Sequence, residues 1–90
     1  MYAVVNKFIV QKRHHKDFVT ETKTVWIKNY RRSKGFVRTL ILQKGNSFVT
    51  VDIWKSKAHA DKFFAKNLKA LETKSWVPKR YVERKGYEIL

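Results

Sequence analysis

The sequence predicts an α+β fold of the ferredoxin-like kind, β-α-β-β-α-β, in which an antiparallel sheet carries two helices on one face. Three observations predict it. Two stretches with apolar groups at helical spacing, 14–32 and 57–71, are interleaved with β-branched and aromatic runs. Two of those runs flank Lys44-Gly45-Asn46-Ser47, the mark of a hairpin. A chain of 90 residues, 43% hydrophobic and 14% aromatic, forms a single domain, 1–90, with ample material for one core.

Residues 2–11, "YAVVNKFIVQ", read as the first strand, with Asn6 and Lys7 set among β-branched and aromatic neighbours. In 14–32, Phe18, Val25, Trp26, Ile27 and Tyr30 recur at helical spacing, with Thr22 between them. Asp17 near the start of this helix and Arg31, Arg32 and Lys34 near its end suit the helix dipole. Gly35 supplies the stop. Strands follow at 36–43 and 48–54. Ser56 is placed to cap a second helix, in which Ala60, Phe63, Phe64, Leu68 and Leu71 form one stripe. Pro78 ends any helical run, and Trp76 calls for a place to bury. Residues 80–90 alternate as a last strand.

The formal charge is +14, from 21 Lys and Arg against 7 Asp and Glu. Such a balance favours anionic partners. The charge lies in three clusters at element ends, "QKRHHK", "NYRRSK" and "VPKRYVERK", and no single helix face is expected to collect it. With no cysteine there is no disulfide, no thiolate nucleophile and no thiolate metal site. No stretch is long and apolar enough for a membrane span, and the N-terminus reads as a strand and not a signal peptide. The expectation is a soluble, cytoplasmic protein without a membrane partner.

"KGFVRTLI" opens like an RNA-reading strand with Lys34-Gly35-Phe36. Base stacking needs aromatics repeated on one face, and Arg38, Leu40 and Leu42 stand there instead. Nucleic acid is therefore the less favoured partner. Strand one is largely apolar on both faces. A two-layer sandwich covers only one, so a second copy of the sheet is the economical cover. The expected assembly is a homodimeric α+β barrel.

"VWIKNYRRSKGFVRTLIL" and "FVTVDIWKSKAHADKFFAKN" resemble the helix–Gly-Phe–strand junction and the third strand running into an aromatic-bearing helix of antibiotic biosynthesis monooxygenase-type domains. The resemblance implies the dimeric α+β barrel. It also implies either cofactor-free oxygenation of a polycyclic aromatic or haem degradation. In the haem-degrading branch a first-strand Asn is matched by Asn6, and Phe63 stands where that branch has Trp. Its helix His falls near Thr73, which is no imidazole, so ordinary haem ligation is in doubt.

Asn6 is either a cavity amide that orients a substrate oxygen or dioxygen, or a structural amide bonded to backbone. His59 is the acid–base candidate, set against a solvated helix histidine. Phe8, Trp26, Trp54, Phe63 and Phe64 are candidate walls for a small aromatic molecule, with core packing as the competing use. Asp52 could orient His59. His14 and His15 read as solvent-facing, and no metal-ligand spacing is present. Without a flavin motif or metal site, an enzyme would be cofactor-free, or would take haem as ligand or substrate. The readings carried forward are a small monooxygenase, a nucleic-acid or polyanion binder, and a non-catalytic ligand-binding module.

Overall fold

A computed structural model of the chain describes residues 1–72 and 81–90, with side chains for 1–67 and 83–90. Thr73, Trp76 and Pro78 lie outside the described residues, as do the side chains of Leu68 and Leu71. Strands β1 (Tyr2–Ile9), β2 (Phe36–Lys44), β3 (Ser47–Trp54) and β4 (Tyr81–Glu88) form one antiparallel sheet in the order β2-β3-β1-β4. This is the ferredoxin-like order, with the first strand central and the last strand at an edge.

The hairpin closes tightly because only Gly45 of the Gly45-Asn46 pair needs a positive φ, +59°. That pattern is the type II′ turn, whose twist matches the flanking strands. Ser56 caps helix α3 (Lys57–Glu72), its Oγ accepting from the His59 backbone N–H at 3.3 Å. The preceding helix ends at Arg31 with Arg32, not the expected Gly35, as its C-cap; Gly35 takes φ +87° in the turn that follows, and a Cβ there would overlap the His59 ring.

The first helical stretch departs from a plain α-helix. A 3-10 turn (Lys12–His14) leads into α1 (His15–Glu21), a π-helical turn (Thr22–Trp26) and α2 (Ile27–Arg31). The buried residues are Phe18, Thr22, Trp26 and Tyr30, four apart at every step. An α-helix advances by about 3.6 residues per turn, so that spacing drifts off one face. One wider turn restores the phase. Val25, expected in the apolar stripe, is 37% exposed as a result.

Strand alternation divides the sheet. Facing the helices are Val4, Asn6, Phe8 and Val10 of the first strand and its extension, with Phe48, Thr50, Asp52 and Trp54 of β3. The apolar members form two clusters. One holds Val4, Trp26, Tyr30, Trp54, Ala60, Phe63 and Phe64, and the other holds Phe8, Val10, Phe18 and Phe48. The polar residues Asn6, Thr50 and Asp52 lie between them. The opposite face carries Val5, Val49, Val51 and Ile53, with exposed Leu40, Leu42 and Tyr87. Arg38, Leu40 and Leu42 lie on this outer face, which lacks the aromatic ladder of an RNA platform.

Candidate active site

Asn6 pairs with Thr50 in the β1–β3 register, and Thr39 pairs with Asp52 in the β2–β3 register. These pairings place four polar side chains on the helix-facing side. Asn6 Nδ2 donates to Thr50 Oγ1 at 3.2 Å and to Asp52 Oδ2 at 3.0 Å. Thr39 Oγ1 donates to Asp52 Oδ1 at 3.1 Å, and the Tyr30 hydroxyl also bonds this carboxylate. Asp52 is 0% exposed. Burial pushes its carboxyl from the ordinary 3.8 up to about 6, against the opposing pull of the three hydrogen bonds and the positive charge of Arg84. Asn6 Oδ1 and Trp54 Nε1 are buried without a partner among the described residues.

Arg84 stands opposite Asn6 in the β1–β4 register. Its guanidinium lies 4.8 Å from the centre of the Phe64 ring, a cation–π contact. Beside it, a cleft of about 270 Å³ opens between α3 and the β1–β4 edge, lined by Tyr2, Val4, Asp61, Phe64, Ala65, Arg84 and Gly86. Gly86 is needed for close approach: a Cβ there would overlap the Tyr2 hydroxyl. The cleft thus has aromatic and aliphatic walls, one guanidinium and one carboxylate. Arg84 links it electrostatically to the buried network.

The predicted site residues separate into different places. Asn6 belongs to the buried network, with side-chain partners and not the backbone partners of its structural reading. Phe64 lines the cleft. Phe8 packs in the second cluster, 5.2 Å from Phe18 between ring centres, apart from the other aromatic candidates. Trp26, Trp54 and Phe63 fill the first cluster, and Phe63 lies 4.8 Å from Tyr30 and 5.3 Å from Trp54. His59 bonds Ser56 through Nδ1 at 2.7 Å, while Asp52 bonds Asn6, Thr39 and Tyr30, so the pair weighed as base and orienter does not form. Asp52 faces the helices.

Arg84, Tyr2 and Gly86 escaped the sequence reading because only the β1–β4 register brings them to α3. Asp52 did carry a signal: it alternates in phase with Phe48 and Trp54, so it shares their buried face. Among the described residues no group of three or more His, Cys, Asp or Glu could hold a metal ion, and no helix is long and apolar enough to cross a membrane.

No protein-family model matches the chain, and no curated protein matches it by sequence. Solved structures do match. A proposed antibiotic biosynthesis monooxygenase of Nitrosomonas europaea superposes with a TM-score of 0.70 at 24% identity, over 97% of this chain and 94% of that one. A proposed antibiotic biosynthesis monooxygenase of Deinococcus radiodurans gives 0.71 at 11% identity, over 99% and 92%. The fold is that of an antibiotic biosynthesis monooxygenase-type domain. A variant of SnoaB, a cofactor-independent oxygenase of Streptomyces nogalater, gives 0.68 at 21% identity, over 98% and 91%. At these identities the likeness is one of fold.

Haem, which the sequence resemblance implies, does not fit the cleft beside Arg84. The cleft of about 270 Å³ lies below even the ~300–1,000 Å³ usual for drug-sized ligands. The helix histidine, His59, is tied to Ser56 and does not line that cleft.

Proposed function

We propose that the chain is a small cofactor-free monooxygenase. Its substrate is an electron-rich aromatic held in the cleft between α3 and the β1–β4 edge. The observation that carries this reading is Arg84, a guanidinium that lines an aromatic-walled cleft and acts on the buried carboxylate behind it. The oxygenase fold neighbours support the same class of reaction.

In this reading the substrate is an anthrone, whose anion can reduce dioxygen directly. Arg84 stabilises the oxyanion. Asp61, which lines the cleft and is held by Lys57 at 2.7 Å, takes the proton. Tyr2, Val4 and Phe64 pack the rings and exclude water. The anion passes one electron to dioxygen, and the resulting radical and superoxide combine to form a C–O bond. The O–O bond then breaks. A methylene carbon becomes a carbonyl, and its two hydrogens leave with the second oxygen as water. Asn6 and Asp52 are positioning residues: they are sealed in the network and tune the field around Arg84. An ionised Asp52 opposes part of the guanidinium charge, so D52N tightens binding of an anionic substrate.

The working form is a homodimer joined through the outer sheet face. Val5, Val49, Val51, Ile53, Leu40 and Leu42 form the apolar centre of that face, with Leu42 51% exposed, and Lys7, Arg38, Glu83 and Lys85 lie in the same phase around it. A contiguous apolar sheet face needs cover, and a second copy supplies a matching one.

Oxygen uptake with an anthrone tests the reaction. The expected result is uptake above the spontaneous rate, reduced about a hundredfold or more by R84Q, an effect of the size usual for a lost oxyanion contact. Circular dichroism should be unchanged. Uptake equal to the buffer rate for both proteins would overturn the reading.

A further inference from the structure

A second concavity lies on the helix layer. It is a groove of about 610 Å³ between the end of α2 and the outer side of α3. Lys62 and Lys66, one turn apart on α3, form one wall, and Arg32 and Lys34, just beyond α2, form the other. His59 and Phe63 lie between them. The charge gathers between two elements and not on a single helix face. Lys62 and Lys66 fell outside the three sequence clusters and gain their meaning only from the opposite wall.

Three of the seven carboxylates are engaged elsewhere. Asp61 pairs with Lys57, Glu83 pairs with Lys7 and Lys85, and Asp52 is buried. Among the described residues no carboxylate lines the groove and none of its four cations has an acidic partner. Like charges one helical turn apart repel, so an anion in the groove relieves a cost that the folded chain otherwise bears. His59 adds a directed donor. Ser56 Oγ accepts from the His59 backbone N–H and can donate its own proton to Nδ1. That arrangement places the ring proton on Nε2.

We propose that this groove binds a small phosphorylated ligand carrying at least two negative charges, a phosphate monoester or diphosphate, gripped by Arg32, Lys34, Lys62 and Lys66. Its volume falls in the range of about 300–1,000 Å³ usual for small-molecule sites. Arg32 and Lys34 face Lys62 and Lys66 across the groove, so the four cations converge on one ligand-sized space. Arginine's planar fork and the lysine point charges together suit phosphate oxygens. This inference is independent of the oxygenase reading, since the cleft and the groove have no lining residue in common.

Titration calorimetry with inorganic pyrophosphate in about 0.15 M salt, where the screening length is about 8 Å, tests it. One saturable site per chain is expected. K62Q/K66Q, which keeps good helix formers at exposed positions, should weaken binding at least tenfold. K12Q/R13Q, an equal loss of charge in another cluster, should change it less than twofold, and R84Q should leave it unchanged. Equal weakening by both double variants would reduce the groove to general surface charge and overturn the proposal. So would the absence of saturable heat. A single-stranded oligonucleotide that binds a hundredfold tighter and displaces pyrophosphate would overturn it in favour of a nucleic-acid surface.

Discussion

Asn6 Nδ2 lies 3.0 Å from Asp52 Oδ2, and the bond between them is sealed from solvent on the helix-facing side of the sheet. It joins the two central strands through a carboxylate that burial keeps reluctant to ionise. The other amide atom of Asn6, Oδ1, has no partner among the described residues. A half-turn of the amide would let Oδ1 accept from a protonated Asp52, so the pair has a bonded arrangement in either charge state.

The raised carboxyl of Asp52 makes stability pH-dependent. Its folded value, about 6, exceeds the ordinary 3.8. The neutral form is therefore favoured in the fold, and the contribution is fully present below about pH 4. It is lost as pH rises through 6, by up to about 3 kcal/mol. Urea denaturation of wild type and D52N from pH 4 to 8 measures it. The stability difference between the two should move in favour of D52N as pH rises. A difference that stays constant across that range would refute the burial argument.

Phe63 is held by ring contacts to Tyr30, Trp54 and Phe64 at 4.8–5.3 Å between centres. F63A should cost about 3–5 kcal/mol, the transfer and cavity terms together. The urea midpoint reports this, and a loss below about 1 kcal/mol would mean that the site collapses without a cavity.

Gly35 and Gly45 both have positive φ, but their surroundings differ. Alanine at 35 would meet the His59 ring, whereas nothing lies within 4 Å of a Cβ at 45. G45A should lose about 1 kcal/mol through backbone strain alone. G35A should lose more, up to about 3 kcal/mol, because strain and overlap add. Thermal melts of the two variants decide it, and an equal loss would show that the His59 ring moves freely aside.

Leu40 and Leu42 project from the outer sheet face, 37% and 51% exposed. If that face joins two copies, L40D/L42D should sediment as a folded monomer while wild type sediments as a dimer. A monomeric wild type at micromolar concentration would remove the barrel assembly from the proposal.

The element order was legible because its signals are local. Gly35, Gly45 and Ser56 act within a few residues of themselves, and the apolar spacing of 57–71 is a property of one helix. The strands fall within two residues of their expected ends at every end the structure describes. The π-helical turn was not legible. Thr22 is polar, so an apolar count passes over the step that keeps Phe18, Trp26 and Tyr30 in phase. Of the residues around the proposed site, Asn6 and Phe64 stood out in the sequence and Arg84 did not.

The sequence by itself determined the strands, the helical stretches, their order and the excess of basic charge, since periodicity, turn chemistry and composition depend only on neighbours along the chain. It also implied that the sheet has two apolar faces. Tertiary structure decided which residues meet. Hydrophobic burial is non-directional, so alternation assigns a side chain to a face but does not name its partner there. Only strand register sets Arg84 opposite Asn6 and beside Phe64. Only the packing of α3 beside α2 turns four scattered cations into the walls of one groove. Electrostatic effects depend on distances between elements, and those distances exist only once the chain has folded.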